Sequence, residues 1–173
     1  MGSGEQSTPA AAKVVSLKEA IARAAEWRRA GKTMVYTNGC FDMLHLGHVR
    51  TLESARQFGD VLVVGVNGDE SARSLKGAGR PVFGERERAE LVAALHCVDL
   101  VVIFRETGSL RVLQALRPKV WVKGGDYALE TVNQDERTFV ESYGGRVALG
   151  QHVPGVSTTD IIERIKGIPD DEC

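Results

Sequence analysis

A chain of 173 residues with 43% hydrophobic content has the length and apolar mass for one domain around a buried core. Lys and Arg (22) nearly balance Asp and Glu (23), which excludes a nucleic-acid or membrane surface held by bulk charge and makes any anion site local. The three cysteines, Cys40, Cys97 and Cys173, are odd in number and lack CxxC spacing, arguing against a disulfide framework or a zinc site and for a reducing compartment.

Residues 1–12 are small and polar, without the apolar core of a signal peptide, and no later run approaches the roughly 18 apolar residues of a membrane span. A soluble, cytoplasmic protein is expected, with residues 1–12 a disordered tail, 13–167 the domain and 168–173 a second tail. Ser16-Leu17-Lys18-Glu19 has the form of a capping box opening an amphipathic helix through residue 29, stopped by Gly31. Residues 33–37 read as a strand, Asn38-Gly39 as a turn and 44–58 as a helix. The pattern recurs: strand 61–66 and helix 85–95, strand 100–103 and helix 109–116, strand 120–122 and helix 134–142, strand 146–149 and helix 158–166. Continuous apolar strands alternating with helices predict a doubly wound α/β domain on a five-stranded parallel sheet. Ligands then bind beyond the carboxyl ends of the strands.

The loops with unusual chemistry all fall at that edge. In Asn38-Gly39-Cys40-Phe41-Asp42-Met43-Leu44-His45-Leu46-Gly47-His48, the two histidines are three apart and share one helix face. They read as phosphate-binding groups at a helix N-terminus, as metal ligands or as titrating surface groups. Gly47 permits close approach. Leu75-Lys76-Gly77-Ala78-Gly79-Arg80-Pro81-Val82 is a basic, glycine-containing loop, either closing over phosphates or solvated. Asn67 and Asp69 follow the second predicted strand as turn and cap types or as substrate contacts. Lys123-Gly124-Gly125-Asp126-Tyr127 is a glycine turn, or a backbone free to meet a planar base with Asp126 accepting from ribose or an amino group. Ser157 and Thr158 stand where a helix cap belongs, with open N–H groups that also suit phosphate.

The segment Asn38 to His48 resembles the signature of the HxGH nucleotidyltransferase superfamily, a Rossmann-like fold in which the histidines stabilise the α-phosphate of a nucleoside triphosphate. The resemblance implies catalytic roles for His45, His48 and Lys76. It implies nucleotide contacts at Asn38, Gly39, Cys40, Phe41, Gly47, Arg88, Lys123, Gly124, Asp126, Ser157 and Thr158, and substrate contacts at Asp42, Asn67, Asp69 and Arg80. Cys40 stands where the family has a small residue and, with no basic neighbour in sequence, is read as a tolerated variant and not a nucleophile.

The KGxxRPV and KGGDY forms are similar to the heptose 1-phosphate adenylyltransferase branch. Gln151-His152-Val153-Pro154 lacks the arginine that cytidylyltransferases place before their STTxII element, which favours adenine over cytosine. Across residues 33–166 the resemblance implies ATP as substrate, Mg²⁺ bound mainly through phosphates without a protein metal cage, and D-glycero-β-D-manno-heptose 1-phosphate as acceptor. It also implies a homodimer and a separate heptose kinase upstream, because the chain is too short to hold both domains. The competing expectations are a cytidylyltransferase acting on glycerol 3-phosphate or a similar small phosphorylated alcohol, and a non-catalytic nucleotide-binding module. Residues 129–136 are longer and more polar than the resemblance expects, so no contacts are carried over to them.

Overall fold

The computed structural model describes residues 9–124, 127–151 and 153–168. Its strands are β1 (Val14–Val15), β2 (Met34–Gly39), β3 (Val61–Asn67), β4 (Leu100–Phe104), β5 (Val120–Lys123) and β6 (Arg146–Leu149), and its helices are α1 (Ala10–Lys13), α2 (Leu17–Arg29), α3 (Leu46–Arg56), α4 (Asp69–Lys76), α5 (Glu85–Ala93), α6 (Leu110–Leu116), α7 (Gln134–Ser142) and α8 (Thr158–Lys166). The strands form one parallel sheet in the order β1-β4-β3-β2-β5-β6.

β3 shows why the sheet is covered on both faces. All seven of its residues are buried, and they divide by the two-residue period of a strand. Leu62, Val64 and Val66 pack with Leu52 and Ala55 of α3 and Val92 of α5. Val61 and Val63 pack on the other face with Ala20 and Ala24 of α2, Leu113 of α6 and Val140 of α7. Each fully buried Val or Leu contributes about 1.5–3 kcal/mol.

From β2 the chain runs outward through β3 to β4, then returns to the other side of β2 as β5 and β6. The connections diverge between β2 and β5, which opens a crevice at their carboxyl ends. Helix α2 begins with the expected capping box: Ser16 N donates to Glu19 Oε2 at 2.9 Å and Glu19 N donates to Ser16 Oγ at 3.2 Å.

The sheet has six strands where the sequence predicts five. Val14–Val15 pairs with the edge of β4 through Val14↔Val101 and Val15↔Val102, and two residues are too few to show an alternation. The preceding helix α1 occupies part of the segment expected to be a tail, and Lys13 Nζ donates to Val98 O at 2.9 Å. Helix α4 is likewise absent from the predicted elements; polar Asp-Glu-Ser at its start hides a helical period. It ends at Lys76, with Gly77 at φ 92° turning the chain out. Among the described residues no helix is long and apolar enough to cross a membrane.

Candidate active site

At the carboxyl edge of the sheet lies a cavity of about 940 Å³. Its walls include Asn38 and Gly39 from the end of β2, Asn67 from β3 and Lys123 from β5, so the switch point and the cavity coincide.

The segment joining β2 to α3 forms the first wall. Phe41 (φ 48°) and Met43 (φ 51°) both adopt left-handed backbone, an unfavourable conformation for non-glycine residues that the surrounding packing must hold. Phe41 is buried, and its ring lies 5.3 Å from that of His48. His45 is the N-cap of α3 but makes no side-chain cap hydrogen bond, so the first-turn N–H groups lack a capping side chain. The His45 and His48 rings stack with centroids 3.8 Å apart and 23° between planes. Nδ1 of each is buried without a hydrogen-bond partner among the described residues. Burial pushes the His45 pKa down, against the pull of Asp160. The His48 pKa is pushed down to about 3, first by burial and then by His45 and Lys76. Two neutral imidazoles, each with a buried Nδ1 unpartnered among the described residues, stand at a helix N-terminus, where an anion is favoured.

The second wall is the start of α8. Ser157 Oγ accepts from Asp160 N at 3.1 Å and donates to Asp160 Oδ2 at 2.7 Å. Thr158 Oγ1 donates to the Asp42 carbonyl at 2.7 Å, tying α8 to the histidine segment across the cavity mouth. Val156, Ser157, Thr158 and Thr159 all line the cavity.

Asp42 is 2% exposed, and its carboxylate is occupied by the protein. It accepts from Arg80 Nε at 2.6 Å, Val82 N at 2.9 Å and Phe83 N at 3.2 Å. Burial would raise this carboxyl, but these donors outweigh it and hold the pKa below the usual carboxylate range. Asp42, expected as a substrate contact, lines the cavity, and its carboxylate anchors residues 80–83, which keeps Arg80 on the cavity wall. Arg88, expected as a nucleotide contact, stands behind this wall. Its guanidinium is fully buried and donates to Phe83 O at 2.9 Å, Cys40 O at 2.5 Å and Asp69 Oδ1 at 2.8 Å. Neither Arg88 nor Asp69 is among the residues lining the cavity. The pair fastens α5 and α4 to the backbone of the histidine segment.

Asn67 lines the cavity and donates to Ser71 Oγ and Glu106 O at 3.3 Å each. Asn38 Oδ1 accepts from Trp121 Nε1 at 3.1 Å, locking β2 to β5 at the switch point. Cys40 is buried, and burial raises its thiol pKa, which suits an inert packing residue. Lys123 Nζ lies 5.3 Å from the Trp121 ring and 4.8 Å from that of Tyr127. Asp126 lies outside the described residues. Sequence reading missed Thr51, Thr107, Gly108, Thr131, Asn133 and Glu136, which also line the cavity. Isolated Thr, Asn and Glu residues in polar loops or on a helix face carry no local signature.

The sequence profile of the cytidylyltransferase-like family matches residues 36–164. The chain belongs to that family. It is 56% identical over 90% of its length to the bifunctional protein HldE of Geotalea uraniireducens and covers 31% of that protein. It is 51% identical to the HldE of Koribacter versatilis, covering 92% of this chain and 32% of that protein. The chain therefore spans about a third of the length of these curated relatives. The lipopolysaccharide core biosynthesis protein of Thermoplasma volcanium superposes with a TM-score of 0.62 at 27% identity, covering 71% of this chain and 99% of that one.

Proposed function

We propose that this chain is a heptose 1-phosphate adenylyltransferase, transferring AMP from ATP to the anomeric phosphate of D-glycero-β-D-manno-heptose 1-phosphate. The observation that carries the reading is the stacked His45–His48 pair at a helix start without a capping side chain, sharing one cavity with Lys76, Arg80 and the start of α8.

In the proposed reaction an oxygen of the sugar phosphate attacks the α-phosphorus of ATP. The bond from that phosphorus to the bridging oxygen breaks, and its electron pair leaves with pyrophosphate. The nucleophile is already an anion, so positioning and charge stabilisation dominate and no general base is required. His45 and His48 hold the α-phosphate. Lys76 and the N-terminus of α8 at Ser157 and Thr158 hold the departing pyrophosphate, with Arg80 beside them. Gly124 and Lys123 face the base and ribose, and Asn67 faces the acceptor. Mg²⁺ carried by the triphosphate would neutralise phosphate charge there. Among the described residues no cluster of three His, Cys, Asp or Glu side chains is placed to hold a metal.

The sugar assignment draws its support from the HldE relatives and from the likeness to the lipopolysaccharide core biosynthesis protein. On this reading the enzyme acts in the cytoplasm, as a homodimer, downstream of a heptose kinase. The test is pyrophosphate release from purified protein with Mg²⁺, heptose 1-phosphate and either ATP or CTP. Release with ATP is the expected result; release with CTP alone replaces the base assignment, and none with either nucleotide overturns the reaction. His45→Ala and His48→Ala should each lower turnover about a hundred- to a thousand-fold without unfolding the protein.

A further inference from the structure

Helices α6 and α7 pack on the sheet face opposite α3; the segments leading into them bring Thr107, Gly108, Thr131 and Asn133 to the cavity, and the first turn of α7 brings Glu136. Glu136 is only 4% exposed, yet it lines the cavity. Asn133 caps α7, its Oδ1 accepting from Asp135 N at 3.0 Å and Glu136 N at 3.1 Å. The Glu136 side chain does not complete a capping box on its own helix. It crosses to the segment after β4, where Ser109 N donates to Oε1. Gly108 makes room for this approach, since a Cβ there would stand 3.0 Å from Oε1.

Among the described residues Oε2 of Glu136 has no protein donor. Oε2 is unpaired but not sealed from solvent, so it is free to accept from water or from a ligand in the cavity. Among the described residues the neighbouring Tyr36 hydroxyl and Ser109 Oγ are buried without hydrogen-bond partners. Asp42, the other carboxylate on the cavity wall, is committed to Arg80, Val82 and Phe83. Glu136 is therefore the carboxylate left for a ligand among the described lining residues. Its anchor follows β4, on the side of β2 opposite the base-facing loop after β5. Lys123 supplies a balancing charge within electrostatic reach of Glu136.

We propose that Glu136 is the specificity residue for the phosphorylated acceptor, its fixed carboxylate accepting hydrogen bonds from adjacent hydroxyls of a sugar. This rests on the adenylyltransferase reading above. Adjacent hydroxyls are also present on the ribose of ATP, so the experiment must separate the two sources. Glu136→Gln keeps an oxygen for Ser109 N and removes the charge. Steady-state kinetics of wild type and E136Q are measured with ATP, 2′-deoxy-ATP, heptose 1-phosphate and singly deoxygenated sugar 1-phosphates.

The expected result in E136Q is a rise of roughly ten- to a hundred-fold in KM for the sugar phosphate, the worth of a charged hydrogen bond, with KM for ATP and the unfolding midpoint unchanged. Wild type should also discriminate against at least one deoxygenated sugar, and E136Q should lose that discrimination, which a merely structural carboxylate would not do. An unchanged sugar KM overturns the proposal, as does a rise confined to ATP that 2′-deoxy-ATP reproduces in wild type. If E136Q does not fold, wild type that accepts every deoxygenated sugar with unchanged KM overturns it equally. Absence of product from any sugar 1-phosphate with wild type overturns the adenylyltransferase reading and this proposal together, whereas normal turnover with an unchanged sugar KM in the variant overturns the proposal alone.

Discussion

The His45 imidazole lies so close to Gly47 that a Cβ on residue 47 would come within 2.9 Å of its Cε1 and 3.0 Å of its Nδ1. The Val156 carbonyl closes the other side at 3.2 Å. Glycine is thus required at this position for side-chain space, although its φ is not in the left-handed region. Gly47→Ala should displace the His45 ring and push α3 from the start of α8. A misplacement of about 1 Å at a reacting centre costs on the order of a hundred-fold in rate. Adenylyl transfer by G47A is therefore expected to fall by at least about that factor while circular dichroism stays native. Turnover near wild type would show that His45 tolerates displacement.

Arg88 makes a different kind of contribution. Its guanidinium holds the carbonyls of Phe83 and Cys40 together with the Asp69 carboxylate, and it is fully buried. Arg88→Met fills much of the volume but leaves without donors the buried Cys40 carbonyl, worth about 1–3 kcal/mol, and the part-buried Phe83 carbonyl, worth about 1 kcal/mol. Asp69 is partly exposed and can be solvated, so its share is small. Denaturant unfolding should show a loss of about 2–4 kcal/mol in R88M. A direct phosphate contact would instead leave stability unchanged and raise only KM for ATP.

These two residues mark how far the sequence could be read. The strand periods, the capping box at Ser16 and the His45-Leu46-Gly47-His48 turn are local patterns, and local patterns dictate local structure. Asp42 and Arg88 stand at motif positions, but their roles depend on partners 38 and 19 residues away, Arg80 and Asp69, that no spacing rule links. Helix α4 was hidden by its polar start, and β1 by its two-residue length. Glu136 was illegible for a related reason: on α7 it looks like a solvated helix residue, and only the crossing to Ser109 reveals it as buried.

Burial of the histidine pair gives a pH dependence of defined sign. Both folded-state pKa values lie below the ordinary 6.5, with His48 pushed down to about 3. Between the folded and unfolded values the unfolded chain binds more protons, so stability rises with pH there. The contribution is complete above about 6.5 and is lost as pH falls from 6.5 toward 3. The thermal midpoint of the free protein should fall between pH 7 and pH 5, and His48→Gln should flatten that fall. Bound triphosphate reverses the bias, because an anion against the ring nitrogens favours the charged form. ATP binding at pH 6 should therefore take up protons, measurable as a dependence of calorimetric heat on the buffer's ionisation enthalpy. Equal heats in all buffers would mean that phosphate does not reach the histidines.

Gly124 ends the β5 wall against Thr51 of α3, where a Cβ would lie 2.1 Å from Thr51 Cγ2 and 3.0 Å from its Oγ1. The same threonine hydroxyl donates to Gln151 O at 3.1 Å, so α3, the β5 loop and the segment after β6 meet at one point. Gly124→Ala should cost about 1–3 kcal/mol through overpacking, and on the proposed reading it should raise KM for ATP because the loop after β5 moves away from the cavity. Thr51→Ala removes the two atoms in closest conflict and loses one exposed hydrogen bond, for which about 1 kcal/mol is expected. In the double variant the clash is relieved, so the combined loss should be smaller than the sum of the single losses by about 0.5–3 kcal/mol. Additive losses would show that the loop already has room at residue 124. Recovery of stability without recovery of the ATP KM would show instead that the glycine is needed for direct contact with the nucleotide.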